Sequence, residues 1–105
     1  MREIQAFEAA TLLAGPNPPL LLDVREGWEI ETAAVAGAVC IPMGEVPTRL
    51  AELDRDRPVL VMCHHGRRSA QVAYLLERSG FREVINLAGG IDAWSERVDP
   101  GIARY

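Results

Sequence analysis

Four short and largely apolar runs recur along the chain, and each ends at a polar residue, a glycine or a proline. They are residues 20–22 before Asp23, residues 38–41 before Pro42, Val59–Met62 before Cys63, and Val84–Leu87 before the glycines at 89 and 90. Runs of this length are typical of strands buried on both faces of a parallel sheet. The pattern therefore predicts four buried strands, and a weaker signal at residues 3–5 adds a fifth.

Helical patterns fill the stretches between these runs. Residues 6–14 are rich in Ala and Leu, residues 28–33 and 46–53 predict shorter helices, and residues 68–79 carry a broad face of apolar or small side chains. Gly15 with Pro16, and Gly80, follow two of these stretches and are typical helix stops. Strands that alternate with helices predict right-handed crossovers and an α/β sandwich.

Length and hydropathy indicate how many domains the chain forms and in which compartment we expect it. The 105 residues match the size of one domain, so we expect a single domain at residues 1–105. No apolar run approaches the ~18 residues of a membrane span. The first five residues lack the organisation of a signal peptide. These observations predict a cytoplasmic protein.

Charge and cysteine content exclude several classes of function. With 15 acidic and 11 basic residues the net charge is −4, which disfavours a nucleic-acid partner. Every basic residue is an arginine, so Schiff-base chemistry on a lysine is excluded. The two cysteines, Cys40 and Cys63, are too few for a disulfide framework, and we expect both to be thiols.

The segment after the third apolar run carries the candidate chemistry. Cys63 follows Val59–Met62 directly, and the next six residues are His64, His65, Gly66, Arg67, Arg68 and Ser69. In open parallel sheets, sites lie beyond the carboxyl ends of the strands. A short loop with a glycine, leading into a helix, can turn several backbone N–H groups toward one point. We therefore interpret Cys63 as a reactive cysteine in an anion-binding loop, rather than a buried core thiol.

Four blocks of sequence resemble the rhodanese-like sulfurtransferases, in the right order and over nearly the whole chain. They are Leu21-Leu22-Asp23-Val24-Arg25-Glu26, Gly37-Ala38-Val39-Cys40-Ile41-Pro42, Cys63-His64-His65-Gly66-Arg67-Arg68-Ser69 and Leu87-Ala88-Gly89-Gly90-Ile91-Asp92-Ala93-Trp94. The resemblance implies a rhodanese-like three-layer sandwich, with a five-stranded parallel sheet flanked by helices. It also implies an active loop from Cys63 to Arg68.

The resemblance further implies the activity and its partners. Cys63 would be the catalytic nucleophile and would carry sulfane sulfur as a persulfide, without a cofactor. The donor would be a small molecule such as thiosulfate, or a protein persulfide. The acceptor would be cyanide or a thiol, for example on a thioredoxin-like or sulfur-carrier protein. Two positions depart from the family pattern: Ala34 stands where many members have a histidine, and Cys40 where asparagine or histidine is frequent.

The other residues of the loop are candidates for substrate binding. His64 and His65 would shape the rim of the pocket, with an electrostatic or proton-transfer role as open as simple solvent exposure. A metal site is disfavoured, because adjacent residues rarely converge on one ion. Arg67 and Arg68 oppose the dipole of the helix that they begin, which favours a role in recruiting anions over a solvated pair. Gly66 and Ser69 are the remaining substrate-binding candidates of this loop.

Seven further positions carry expectations of their own. Asp23 and Arg25 follow the second strand, and the resemblance implies that they form a supporting ion pair beside the loop, the alternative being a surface pair of small energetic value. Cys40, between Val39 and Ile41, is expected to pack as a small apolar side chain. The glycines at 89 and 90 predict a tight turn, and both tryptophans, Trp28 and Trp94, predict packing, with Trp28 possible at the pocket edge.

Three classes of function compete at this stage. Sulfur transfer through Cys63 is favoured. Phosphatases of a related type need an arginine after five intervening residues, but here that position is Ser69 and Arg68 falls one residue short. A non-catalytic binding domain is the remaining alternative, as in relatives that have lost the cysteine.

Overall fold

A five-stranded parallel sheet forms the centre of the computed structural model, which describes residues 1–105. The strands are β1 (Arg2–Ile4), β2 (Leu20–Asp23), β3 (Val39–Cys40), β4 (Val59–Met62) and β5 (Val84–Leu87). Their order across the sheet is β1-β5-β4-β2-β3, and every neighbouring pair is parallel. The fold class predicted from the sequence is confirmed.

Four α-helices and two 3₁₀ segments connect the strands. The helices are α1 (Ala6–Ala14), α2 (Gly27–Thr32), α3 (Arg67–Arg78) and α4 (Gly90–Arg97), and the 3₁₀ segments are Met43–Thr48 and Leu50–Glu52. None of the four helices combines the length and the apolar character that a membrane crossing requires. The longest, α3, begins one residue earlier than predicted, directly after residues 63–66, the Cys63 loop.

Two cores lie on opposite faces of the sheet, because side chains alternate along each strand. In the central strand β4, Val59 and Val61 pack with α3 and the 3₁₀ segments, whereas Leu60 and Met62 pack with α1 and α4. All four residues of β4 are buried, as the apolar run predicts. Trp94 of α4 is 8% exposed and belongs to the second core, which confirms that it packs.

Two of the predicted elements differ in the structure. The run at residues 38–41 gives only a two-residue strand, Val39–Cys40, and both residues are exposed because β3 lies at the sheet edge and pairs with β2 alone. The helix predicted at residues 46–53 is replaced by the two 3₁₀ segments. Pro47 lies inside the first of them, and its missing N–H and rigid ring prevent a regular α-helix.

Candidate active site

Cys63 lies where the central strand ends and α3 is about to begin. The thiol follows β4 directly and is 1% exposed. Its Sγ accepts hydrogen bonds from the backbone N–H of Gly66 at 3.1 Å and from Ser69 Oγ at 3.3 Å. Gly66 caps α3 with a φ of 103°, a conformation that favours glycine. The two donors and the amino end of a 12-residue helix together favour negative charge on this sulfur.

A polar pocket of about 350 Å³ opens over this sulfur. Six residues line it: Cys63, His64, His65, Arg67, Arg68 and Gln71. All of the lining residues except Gln71 were expected from the sequence. Gln71 follows Arg67 by one helical turn, so its position on the same face of α3 was the signal available in the sequence.

The two loop arginines differ in their surroundings. Arg68 donates two hydrogen bonds to the carboxylate of Glu29, Nη1 to Oε1 at 2.6 Å and Nη2 to Oε2 at 2.8 Å. The hydrogen bonds from Arg68 lower the pKa of Glu29 to about 2, although burial acts against them. Arg67, in contrast, lines the pocket and forms no ion pair. The charge of Arg68 is therefore compensated by Glu29, and the anion-recruiting role expected of the two arginines stays a prediction.

Glu29 is a site residue that sequence reasoning missed. Its side chain is 3% exposed, and nothing in the local pattern of α2 marks it as buried. Trp28 was expected to pack but is 63% exposed, with its ring centroid 6.0 Å from that of Tyr105 in an edge-to-face arrangement. Because neighbouring positions on a helix point about 100° apart, the inward direction of Glu29 turns Trp28 toward solvent.

Asp23 and Arg25 form a fully buried ion pair at the end of β2. Arg25 Nη2 and Asp23 Oδ2 are 2.7 Å apart, and both side chains are 0% exposed. The remaining guanidinium donors reach the backbone oxygens of Glu29 and Ala33 and the hydroxyl of Tyr105. A buried charge is tolerated only when it is paired in this way. The alternative of a weak surface pair is excluded, and the supporting role toward the loop stays a prediction.

The two histidines are part of a stack of three rings. His64 lies between Tyr105 and His65, with both centroid distances at 3.9 Å. Burial, followed by the charge of His65, lowers the pKa of His64. His65 is 62% exposed at the outer end of the stack. The structure thus makes one histidine a covered pocket wall and the other a solvent-facing rim residue.

The same histidines come close to Asp92, as the ligands of a metal ion would. One potential ligand atom from each of the three residues lies within 4.8 Å of the others. However, the imidazole planes are stacked at 28°, and an ion about 2 Å from a nitrogen of each ring would have to lie in both planes. Asp92 also accepts two hydrogen bonds from Arg104. This arrangement does not form a converging set of ligands.

The amino end of α4 packs directly on the Cys63 loop. Ile91 N–H donates to the carbonyl oxygen of Cys63 at 2.9 Å, and Asp92 N–H donates to that of His64 at 3.2 Å. Gly90 has a φ of 58°, and a Cβ at this position would overlap both carbonyl groups. The glycines at 89 and 90 therefore form the predicted tight turn and also permit this close approach.

The buried side-chain amide of Asn86 is hydrogen-bonded to the loop that follows Cys63. Asn86 Nδ2 donates to the carbonyl oxygen of Gly66 at 3.1 Å and to Glu3 Oε2 at 2.9 Å. Sequence reasoning treated Asn86 only as part of an apolar run. Its single polar side chain among buried strand positions was a signal that it contacts something functional.

Cys40 is exposed, so the expectation that it packs as a small apolar side chain is wrong. The reason is the edge position of β3, whose outer side no other element covers. Asp23 of β2 is in register with Cys40 on one side and Met62 on the other, so these two flanking residues are roughly 10 Å apart. A disulfide needs Cα atoms within about 7 Å, which disfavours a bridge between Cys40 and Cys63.

Comparisons with known proteins agree with this geometry. The chain matches the family model of the rhodanese-like domain over residues 6–97. It is 35% identical over 103 residues to a sulfurtransferase from Allochromatium vinosum, a match that covers 98% of this chain and 96% of that protein. It is 36% identical over 75 residues to the thiosulfate sulfurtransferase GlpE from Coxiella burnetii, covering 71% of this chain and 70% of the relative.

A solved structure extends the agreement to three dimensions. The crystal structure of a rhodanese-like domain protein from Staphylococcus aureus matches with a TM-score of 0.86 and 30% identity, over 100% of this chain and 99% of that one. The family model itself spans the cysteine loop and all four helices. The chain therefore belongs to the rhodanese-like domain family.

Proposed function

We propose that this protein is a sulfurtransferase of the rhodanese type that carries sulfane sulfur as a persulfide on Cys63. The observation that carries the proposal is the Sγ atom of Cys63, which accepts hydrogen bonds from Gly66 and Ser69 at the base of a polar pocket. A thiolate and the terminal sulfur of a persulfide are both anions, so the same surroundings stabilise the two states. The thiosulfate sulfurtransferase among the relatives supports thiosulfate as a donor.

In the first half of the reaction, the Cys63 thiolate attacks the outer sulfur of thiosulfate. A new S–S bond forms at Cys63, the S–S bond of thiosulfate breaks, and sulfite leaves with the bonding electron pair. Negative charge develops on the departing sulfite. Arg67, which lines the pocket without an ion-pair partner, is the cation available to stabilise that charge.

In the second half, an acceptor nucleophile attacks the terminal sulfur of the persulfide. Cyanide leaves as thiocyanate, or an acceptor thiolate becomes a persulfide, and the Cys63 thiolate is regenerated with its electron pair. The pocket is open to solvent and His65 at its rim is exposed, which suits the thiol of a thioredoxin-like or sulfur-carrier protein. Residues 1–105 would act as one domain in the cytoplasm, where thiols are kept reduced.

Phosphatase chemistry is not favoured by this site. The position at which such enzymes carry their phosphate-binding arginine is Ser69, whose hydroxyl donates to Cys63 Sγ. The guanidinium of Arg68, one residue earlier, is held by Glu29. A purely binding role is not favoured either, because it does not account for the hydrogen-bond donors around Cys63 Sγ.

Intact-mass spectrometry after incubation with thiosulfate tests the proposal. We expect the protein to gain one sulfur atom, to lose it when a dithiol or cyanide is added, and to release no phosphate from an aryl phosphate. Cys63→Ser should abolish both the adduct and turnover. Cys40→Ala is the matched control and should keep both, because partial desolvation and the charge of Asp23 raise the pKa of that thiol. Wild-type transfer by Cys63→Ser, or phosphate release that depends on Cys63, would contradict the proposal.

A further inference from the structure

We propose that Tyr105 is a positioning residue for sulfur transfer, fixing His64 against the pocket by ring stacking and fixing Glu29, the partner of Arg68, by a hydrogen bond. This inference rests on the proposed function. It goes beyond it by assigning a role to a residue that does not line the pocket and lies 42 positions after Cys63 in the chain.

The ring of Tyr105 covers one face of His64. The two rings are nearly parallel, at an interplanar angle of 8° and a centroid distance of 3.9 Å. His65 covers the opposite face. His64 is thus held between two rings, and its orientation over the pocket depends on Tyr105, because His65 is itself an exposed side chain.

The hydroxyl of Tyr105 connects the two ion pairs of the site. It donates to Glu29 Oε2 at 2.7 Å and accepts from Arg25 Nη1 at 2.9 Å. Glu29 in turn holds Arg68 in the pocket wall, and Arg25 is paired with Asp23. One side chain therefore contacts both the stacked histidine and the carboxylate that orients Arg68.

Ring coverage also has an electrostatic effect on His64. Its Nε2 is buried without a hydrogen-bond partner, and burial lowers its pKa. The charged or titratable groups that face it are His65, Glu29, Asp92 and Tyr105. Removal of the ring exposes His64 to water, which favours the protonated form. The Tyr105 ring therefore contributes to the burial that lowers the pKa of His64, whereas a backbone hydrogen bond to Tyr105, which both substitutions below retain, raises it.

Two substitutions separate the ring from the hydroxyl. Tyr105→Phe keeps the stack and removes the hydrogen bonds, whereas Tyr105→Leu removes both. Tyr74→Leu, an exposed tyrosine of α3 that is 54% accessible, is the control. The chain has only two histidines, so NMR titration of the ring protons follows His64 alone once His65→Asn has assigned the signals.

We expect Tyr105→Leu to raise the pKa of His64 by about half a unit or more, and Tyr105→Phe and Tyr74→Leu to leave it unchanged. In the pH profile of kcat/KM for thiosulfate, the acid limb should move with His64 in Tyr105→Leu only. Tyr105→Phe should raise the KM for thiosulfate about threefold, with kcat within about twofold of wild type, because Glu29 then positions Arg68 less firmly in the pocket wall, an effect on pocket geometry and not on net charge.

Each half of the proposal can fail separately. A folded Tyr105→Leu with the wild-type titration of His64 and the wild-type pH profile would overturn the stacking role. If that variant does not fold, Tyr105→Phe still decides the hydroxyl role, and a wild-type KM would overturn it. The NMR arm does not depend on turnover. Failure of the proposed function would instead show as absence of a sulfur adduct on wild-type Cys63.

Discussion

The sulfur of Cys63 is stabilised by hydrogen-bond donors and not by a directly bound cation. Gly66 N–H and Ser69 Oγ are its hydrogen-bond partners. Arg68, which lies one residue before the position of the phosphatase arginine, forms an ion pair with Glu29. Dipoles of this kind favour an anion without neutralising it. The persulfide of the proposed mechanism would therefore stay available to an attacking nucleophile. Arg67 is left as the free positive charge at the pocket.

Separate substitution of the two arginines should give different results. Arg67→Ala should raise the KM for thiosulfate several-fold and weaken its dependence on salt, because a free cation attracts the dianion. Arg68→Ala should cost about 2 kcal/mol of unfolding free energy, since it leaves the buried carboxylate of Glu29 without its partner. Steady-state kinetics at two ionic strengths and urea denaturation measure the two effects. Equal changes in KM, with no loss of stability in either variant, would contradict this assignment.

The hydrophobic pattern of the sequence predicted those strands and helices whose positions depend on local interactions. The buried run Val59–Met62 and the amphipathic stretch before Gly80 gave β4 and α3 nearly to the residue, and with them the position of Cys63. The exposure of β3 was missed because it depends on which strand lies at the sheet edge. The burial of Glu29 depends on Arg68 and Tyr105, 39 and 76 positions away, and no periodicity reports such a pairing.

The contact between α4 and the Cys63 loop should be sensitive to one methyl group. Gly90→Ala combines a positive φ with overlap against the Cys63 and His64 carbonyls, so we expect a loss of about 2–3 kcal/mol and slower formation of the persulfide. Gly80→Ala is the control: its φ is 90°, but nothing lies within 4 Å of the added carbon. It should cost only about 1 kcal/mol and leave the rate intact.

Denaturation curves and the rate of sulfur uptake distinguish the two glycine variants. If Gly90→Ala were no less stable than Gly80→Ala and took up sulfur at the wild-type rate, the packing of α4 would have no part in shaping the loop.

Glu29 connects parts of the chain that are distant in sequence. Its carboxylate accepts from Arg68 at the start of α3 and from the hydroxyl of Tyr105, which also accepts from Arg25 after β2. These groups cover the same end of the sheet, above the carboxyl ends of its strands. The candidate site and the packing of this end of the fold therefore share one buried charge network.

Acid should weaken this network in a defined pH range. The pKa of Glu29 is lowered from 4.5 to about 2, chiefly by Arg68, so the folded state binds its proton less tightly than the unfolded chain does. The resulting stability is fully present above pH 4.5 and is lost as the pH falls toward 2. Its size is roughly 3 kcal/mol, at about 1.4 kcal/mol per pKa unit.

Glu29→Gln should remove this part of the pH dependence, because a neutral amide does not titrate. We expect urea denaturation of wild type to show a steep loss of stability below pH 4.5, and Glu29→Gln to be less stable at neutral pH but flatter in the acid range. Glu31→Gln, on the exposed side of the same helix, is the control and should follow wild type. An acid slope in Glu29→Gln as steep as that of wild type would mean that other carboxylates, and not this network, set the stability of the fold in acid.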